Sequence, residues 1–296
     1  MSGAKHHKAV YGFPECETQA RALAAVLRCP YFSVALHTFP DRETLVRIEQ
    51  GADEAILFRP LHHPNAKIFE VIQAISALRG LGAERITLVA PYLPYMRQDK
   101  VFRKGEALSQ KIFAGVISPW IDRLITVEPH LHRSHTMESI FPGLKGSALS
   151  GAVPLAAYFK SQGIEKNTLV IGPDEEAFHI ARPFAESLGL DWITALKKRS
   201  GDRDIKVTLE GAALTGRPVL IIDDVISTGM TVIGCARAAL EAGAASVSAA
   251  VVHALYDEQA AKAFKAAGIS PVVSTDSIPH PSNAVVLAPY LAEALR

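Results

Sequence analysis

The segment VLIIDDVISTGMT, residues 219–231, joins an apolar run to two adjacent carboxylates and then to a loop rich in hydroxyl groups. An apolar run of this kind is typical of a buried strand, so Asp223 and Asp224 come where the strand ends. The residues after them combine small hydroxyl side chains with a glycine, and they are Ser227, Thr228, Gly229, Met230 and Thr231. Side chains of these types in this order suit a phosphorylated sugar.

The chemistry expected of this segment follows from its place in an α/β fold. In an open α/β sheet, ligands bind beyond the carboxyl ends of the strands, where a loop leads into a helix N-terminus. Backbone N–H groups and the helix dipole attract a phosphate there, and Gly229 allows close approach of the backbone. Asp223 and Asp224 only accept hydrogen bonds, which suits the vicinal hydroxyls of a ribose. The alternative is an aspartate that caps the helix, followed by an ordinary Ser/Thr turn.

The elements that would position this segment can be read along the whole chain. Short β-rich runs alternate with runs of helical spacing, which is typical of parallel sheets with helices on both faces. Between the halves, residues 141–151, FPGLKGSALSG, are rich in Gly, Pro and Ser. We therefore predict an α/β fold of two similar domains, residues 1–147 and 148–296, each a mostly parallel sheet flanked by helices.

The composition limits the class of protein. The 296 residues, 49% hydrophobic and 21% charged, are enough for two ordinary domains. A net charge of +1 favours neither a nucleic-acid nor a membrane partner. Three cysteines without a CxxC pair indicate a reducing compartment and no structural zinc site. The first residues lack the apolar core of a signal peptide, so we expect a soluble, cytoplasmic protein.

The segment DDVISTGMT resembles the phosphoribosyl-diphosphate (PRPP) binding motif of type I phosphoribosyltransferases and of ribose-phosphate diphosphokinases, the PRPP synthetases. The motif alone does not separate these two families. The resemblance implies two phosphoribosyltransferase-like domains. In a synthetase it also implies that Asp223, Asp224 and the loop 227–231 bind ribose 5-phosphate.

Two stretches in the first half favour the PRPP synthetases. Residues 39–43, FPDRE, resemble the adenine-binding FSDGE loop of that family, and residues 91–100, PYLPYMRQDK, resemble its PYxxYxRQDR. The resemblance implies an aromatic ring stacked on adenine and polar contacts to the nucleotide. The ATP-binding residues that it implies are Phe39, Asp41, Glu43, Arg97, Gln98 and Asp99. Taken alone, FPDRE is explained equally well by a turn.

A histidine-rich stretch follows the predicted strand 123–127. Residues 126–132, TVEPHLH, resemble TVDLH of the same family, in which the histidine binds the Mg²⁺ of ATP, and this implies that role for His130. From the residues alone, Mg²⁺ prefers oxygen ligands, so a histidine at a strand end or helix cap is the alternative for His130, His132 and His135. HLHRSH lacks a recognisable zinc-ligand spacing.

Two further stretches carry charged side chains. Residues 171–177, IGPDEEA, resemble SPDAGG, whose aspartate lies near metal and ribose, and this implies that Asp174 contacts the metal. Glu175 and Glu176 replace the glycines of the family. Residues 196–204, LKKRSGDRD, resemble the DKRR start of the flexible catalytic loop, which implies that Lys197 and Arg199 stabilise charge on the transferring group. A solvated basic turn is the alternative reading of this stretch.

The reaction implied by the resemblance is transfer of the diphosphoryl group of ATP to the C1 hydroxyl of ribose 5-phosphate, giving PRPP and AMP with Mg²⁺ as cofactor. Such transfers need positioning and charge neutralisation more than a nucleophilic side chain. Two alternatives remain: a phosphoribosyltransferase that uses PRPP, and a non-catalytic regulatory subunit similar to PRPP synthetases. Members of the family assemble as dimers or hexamers, so a homo-oligomer is also implied.

Overall fold

The computed structural model of the chain describes residues 6–131, 136–200, 204–209 and 213–296. It divides into two compact units, the first comprising Met1–Leu149 with Leu287–Arg296 and the second Ser150–Val286. The sequence places a boundary near residue 147 and assigns the last helix, Ala288–Ala294, to the second domain. In the structure this helix packs against helix Glu17–Leu27 of the first unit and buries Leu291 and Ala292. The apolar pattern of a short helix does not specify its partner.

Among its described residues, the first unit contains six parallel strands, an antiparallel hairpin and five α-helices. The sheet strands are β1 (His6–Gly12), β2 (Tyr31–Ser33), β5 (Ala52–Phe58), β6 (Arg85–Val89), β7 (Arg123–Val127) and β8 (Lys145–Leu149), and the hairpin strands are β3 (Ala35–Thr38) and β4 (Thr44–Arg47). The helices are α1 (Glu17–Leu27), α2 (Pro64–Gly80), α3 (Ser109–Ile117), α4 (Met137–Ile140) and α9 (Ala288–Ala294). The sheet order is β2-β1-β5-β6-β7-β8. Residues 32–36, FSVAL, have the apolar pattern of one strand, but the structure divides it at Val34 between the sheet and the hairpin.

The second unit repeats this plan. Its sheet strands are β9 (Leu169–Gly172), β10 (Asp191–Thr194), β13 (Pro218–Ile226), β14 (Ser246–Ala254), β15 (Ile269–Thr275) and β16 (Asn283–Val285), and its hairpin strands are β11 (Leu196–Ser200) and β12 (Asp204–Thr208). The helices are α5 (Ala152–Ser161), α6 (Phe178–Leu188), α7 (Met230–Glu241) and α8 (Glu258–Ala266). The sheet order is β10-β9-β13-β14-β15-β16. Both units therefore insert a hairpin between their second and third sheet strands.

Burial of both sheet faces explains the apolar strands. Residues 219–222 of β13 are almost inaccessible, and Ile221 aligns with Ile171 of β9 and Ala249 of β14. Burying one such side chain contributes about 1.5–3 kcal/mol. Within each of the two sheets, every pair of neighbouring strands is parallel, so the predicted fold class is confirmed. In the described part of the chain, no helix combines the length and the apolar character needed to cross a membrane.

Candidate functional site

The loop 227–229 lies where β13 ends and α7 begins, as the sequence predicts. Gly229 has φ 71° and ψ 2°, a left-handed conformation, and it caps the helix, whose first hydrogen bond runs from Ile233 N to Gly229 O at 2.9 Å. Ser227, Thr228 and Met230 are exposed, and Thr231 is half-buried. The loop thus presents hydroxyl groups and a helix N-terminus at the carboxyl edge of the sheet, an arrangement suited to an anion.

Three carboxylates come together near the carboxyl ends of the adjacent strands β9 and β13. The sequence predicts that the strand ends before Asp223, but β13 runs to Ile226, so Asp223 and Asp224 lie within its last four residues. Asp223 and Asp224 are half-buried, and the Asp223 carboxylate accepts a hydrogen bond from Asp224 N at 3.0 Å. Burial raises the pKa of Asp223 well above its usual range, and the neighbouring carboxylates of Asp224 and Asp174 raise it further. The structure therefore brings together the predicted sugar-binding and metal-binding aspartates.

The segment after β9 is held by a local cap. The Asp174 side chain accepts a hydrogen bond from Ala177 N at 3.1 Å and caps the short 3-10 helix Glu175–Ala177. Ala177 is buried, whereas Glu175 and Glu176 are exposed. The two glutamates that depart from the family pattern thus lie on the solvent side of this turn.

The stretch that carries Lys197 and Arg199 is a strand of the second hairpin. Backbone pairing places Lys197 opposite Val207 and Arg199 opposite Ile205 in an antiparallel register. The hairpin begins directly after β10. Ala195, the residue between them, is still tied to the end of β9, because its N–H donates to Gly172 O at 2.8 Å. The sequence does not predict this hairpin, because a short basic run has no alternating apolar pattern.

In the first unit, the turn 95–98 lies beyond the carboxyl end of β6. Tyr95 has a positive φ of 64°, its hydroxyl donates to the Asn65 side chain, and Gln98 N donates to Tyr95 O at 3.0 Å. Arg97 and Gln98 are exposed, and Asp99 is half-buried. The turn therefore presents the predicted ATP-binding residues at the edge of the sheet where ligands of α/β proteins bind.

His130 lies beyond the carboxyl end of the neighbouring strand, β7. It is half-buried and has a positive φ of 54°. The preceding strand end is tied to the segment after β6 by a hydrogen bond from Val127 N to Pro91 O at 3.1 Å. The structure thus brings His130 and the 91–100 segment to one edge of the sheet, while His132 and His135 lie outside the described residues.

The residues 39–43 form the tip of the first hairpin. Glu43 N donates to the Asp41 carboxylate at 3.1 Å, and Phe39 N donates to Glu43 O at 2.8 Å. Phe39 is 39% exposed, and its ring meets the His37 ring edge-on at 4.5 Å. These hydrogen bonds close the loop on itself. The structure does not bring this tip into hydrogen-bonding contact with the turn 95–98 within the described residues.

Spacing along the sequence does not predict the buried ionic cluster beyond β5. Arg59 is 2% exposed, forms ion pairs with Glu15 at 2.9 Å and with Glu70, and lies over the Phe13 ring at 3.6 Å. The only sequence signal is an arginine directly after the apolar run 55–58. Its partners lie on other elements, so spacing alone does not connect them.

A repeated parallel sheet with an inserted hairpin, and an acidic strand end followed by a glycine-capped loop, define a protein built from two phosphoribosyltransferase-type domains. Residues 151–289 match the family model of the phosphoribosyl transferase domain. Residues 9–119 match that of the N-terminal domain of ribose phosphate pyrophosphokinase. The chain belongs to the ribose-phosphate pyrophosphokinase family, that of the PRPP synthetases, and this prediction is confirmed.

Similar proteins cover almost the whole chain. The ribose-phosphate pyrophosphokinase of Methanopyrus kandleri is 32% identical over 93% of this chain and 94% of its own. That of Sulfurisphaera tokodaii is 34% identical over 90% and 91%. The fold matches a crystal structure of phosphoribosylpyrophosphate synthetase from Mycobacterium smegmatis with TM-score 0.83, 24% identity and 98% coverage of both chains.

Proposed function

We propose that the protein transfers the diphosphoryl group of ATP to the C1 hydroxyl of ribose 5-phosphate, giving PRPP and AMP. The observation that carries this proposal is the acidic end of β13 and its glycine-capped loop, which occur in one chain with the turn 95–98 and Asp99 beyond β6. Family membership supports it, and so do the names of the relatives. A phosphoribosyltransferase is disfavoured because residues 9–119 match the pyrophosphokinase N-terminal domain.

The second unit would bind ribose 5-phosphate. The 5-phosphate would accept hydrogen bonds from the loop 227–231 and lie on the helix dipole of α7. Asp223 and Asp224 would accept hydrogen bonds from the ribose hydroxyls. The raised pKa of Asp223 supports this role. Its ionised form is unfavourable because it is buried beside two other carboxylates, and hydrogen bonds donated by ribose hydroxyls would stabilise that form.

The first unit would bind ATP. Phe39 offers an exposed ring for stacking on adenine, with Asp41 and Glu43 as acceptors for the exocyclic amine. Arg97 and Gln98, both exposed at the carboxyl edge of the sheet, would contact the nucleotide, and Asp99 belongs to the same set. We propose residues 1–147 for ATP binding and 148–296 for ribose 5-phosphate binding, with the last helix, Ala288–Ala294, packed in the first unit.

Mg²⁺ is the cofactor we propose, since Asp174 supplies the oxygen ligand that Mg²⁺ prefers, whereas the role of His130 rests on the family resemblance alone. In the described part of the chain, no three His, Cys, Asp or Glu side chains are arranged to hold a metal by themselves. Mg²⁺ bound to phosphates needs only one or two protein ligands, so we assign His130 to the Mg²⁺ of ATP in the first unit and Asp174 to a metal contact in the second. When bound, Mg²⁺ neutralises charge on the triphosphate.

The remaining chemistry falls to the protein and its substrates. The anomeric oxygen attacks the β-phosphorus, the bond from that phosphorus to the α,β-bridging oxygen breaks, and AMP leaves. The hydroxyl proton passes to solvent. Lys197 and Arg199 would stabilise the negative charge that develops on the transferring group. We further propose a cytoplasmic homo-oligomer, a dimer or a hexamer, with no nucleic-acid or membrane partner.

The direct test is incubation with ATP, Mg²⁺ and ribose 5-phosphate, with AMP and PRPP quantified by anion-exchange chromatography. We expect the two products in equal amounts. No AMP above a protein-free blank, with Mg²⁺ or other divalent metals, would contradict the proposal and favour a non-catalytic regulatory subunit. Formation of a nucleoside monophosphate and pyrophosphate from added PRPP and a free base would instead indicate a phosphoribosyltransferase.

A further inference from the structure

Helix α8 packs directly against the backbone of the loop that ends at Gly229. The Phe264 ring is so close that a Cβ built on Gly229 would lie 2.1 Å from Phe264 Cε1 and 2.3 Å from its Cζ. Real side chains do not approach so closely. Gly229 is therefore required twice, once for its left-handed φ and once to make room for this ring.

The Phe264 ring is itself held in place. It is 1% exposed and meets the Tyr256 ring edge-on at 5.0 Å. The Tyr256 ring contacts the His280 ring at 4.3 Å, and His280 Nε2 donates to Tyr256 O at 2.8 Å. This aromatic row is rigid because each ring is packed on the next.

The same region is tied to the strand that enters the loop. Leu255 N, directly after β14, donates to Ile226 O, the last residue of β13, at 2.8 Å. Asp257 then caps the start of α8, since its side chain accepts a hydrogen bond from Ala260 N at 2.9 Å. The loop is thus fixed at its start by a backbone hydrogen bond and at its end by the Phe264 ring.

We propose that Phe264 is a positioning residue for the sugar-phosphate site, which sets the direction of the loop N–H groups by packing on Gly229. The proposal rests on the assignment of residues 227–231 to ribose 5-phosphate. A cradle of backbone donors binds only when its N–H groups converge on the anion. Loss of the ring lets the Gly229 backbone move and weakens binding at a distance from any ligand contact.

Phe264→Leu is the first test, with Phe184→Leu as the matched control. Phe184 is equally buried in the same unit, but its ring packs on Phe159 of α5 at 5.6 Å. We expect Phe264→Leu to raise KM for ribose 5-phosphate on the order of tenfold, with KM for ATP unchanged. Phe184→Leu should leave both KM values unchanged. Equal KM values in the two variants would overturn the proposal.

Phe264→Met, whose unbranched and flexible side chain can fill more of the space left by the ring, covers the case in which the leucine variant does not fold, and a smaller rise in the same KM is expected. Combining Gly229→Ala with Phe264→Leu gives a second measurement. The methyl group added at Gly229 then meets a smaller side chain. The fold-loss of ribose 5-phosphate affinity in the double variant should therefore be smaller than the product of the fold-losses in the two single variants. A loss in the double variant equal to the product of the two single losses would contradict direct packing of Phe264 on Gly229.

Calorimetric titration with inorganic phosphate separates this proposal from the proposed function. If the wild type makes no PRPP, the function fails, but phosphate binding weakened by Phe264→Leu and not by Phe184→Leu would still support Phe264 as the support of an anion loop. If the wild type makes PRPP and Phe264→Leu changes neither phosphate nor ribose 5-phosphate binding, only the role of Phe264 is refuted.

Discussion

Strands β5 and β13 occupy the same place in the two sheets, third in each order, yet their carboxyl ends have opposite electrostatics. Beyond β5, Arg59 is buried and paired with Glu15 and Glu70. At the end of β13, Asp223 has a raised pKa because it is buried beside two other carboxylates. One strand end is neutralised within the protein and stabilises it. The other keeps an unfavourable charge, which is typical of a ligand site.

The largest expected effect is on stability and concerns Arg59. Arg59→Leu leaves Glu70, which is 5% exposed, without its guanidinium partner, so the free energy of unfolding should fall by about 3–5 kcal/mol. Urea denaturation of the full chain measures this. The double variant Arg59→Leu with Glu70→Leu is the control and should recover most of the loss. A loss below about 1 kcal/mol in the single variant would contradict a structural role.

The two hairpins extend the comparison to catalysis. Lys197→Ala or Arg199→Ala should lower kcat on the order of 10² or more, as for loss of a donor that stabilises transition-state charge. Steady-state rates at saturating ATP and ribose 5-phosphate report this. Because the first hairpin is assigned to nucleotide binding, substitutions at its tip should leave kcat nearly unchanged. Unchanged kcat in both basic variants would remove the second hairpin from catalysis.

Asp223→Ala and Asp224→Ala should weaken binding of ribose 5-phosphate more than that of ATP, by about ten- to a hundredfold, because each removes acceptors for a ribose hydroxyl. Calorimetric titration with each ligand separately gives the ratio. Glu175→Ala is a suitable control, since its side chain is exposed on the neighbouring turn. A greater loss of affinity for ATP than for ribose 5-phosphate would contradict the assignment of Asp223 and Asp224 to the sugar site.

Phe39→Ala should raise KM for ATP about tenfold through loss of stacking on adenine, without changing KM for ribose 5-phosphate. Trp120→Ala is the control, because Trp120 is also exposed in the same unit but lies shortly before the amino end of β7, whereas the turn 95–98 lies at the carboxyl edge of the sheet. The same KM for ATP in both variants would show that the tip does not touch the nucleotide.

The smallest effect is on the pH dependence of stability. Burial raises the pKa of Asp223, so its ionised form destabilises the fold above that pKa, and the penalty is relieved as pH falls through it. Burial also raises the pKa of Glu15, but Arg59 and Lys67 lower it overall, so its contribution is kept until more acidic pH. Below neutral pH, Asp223→Asn should therefore lose its advantage in melting temperature over the wild type. A constant difference across pH would contradict the assignment.

The sequence predicts the parts of this molecule that depend on local pattern. The buried run 219–222 and the loop that leads into α7 follow from apolar spacing and a glycine, and the two parallel sheets follow from the alternation of such runs. The end of β13 does not, because the strand continues past the two aspartates to Ile226. In the Arg59 cluster, Arg59 is 11 positions from Glu70 and 44 positions from Glu15 along the chain. Phe264 is 35 positions from Gly229, on which it packs. These contacts arise only when separate elements meet, so no local pattern predicts them.

The transfer itself can be followed most directly with ATP labelled at its β-phosphorus. The account predicts that the label appears in PRPP, in step with unlabelled AMP, and only when ribose 5-phosphate and Mg²⁺ are present. Label retained in ADP would show ordinary γ-phosphoryl transfer and contradict the proposed attack on the β-phosphorus.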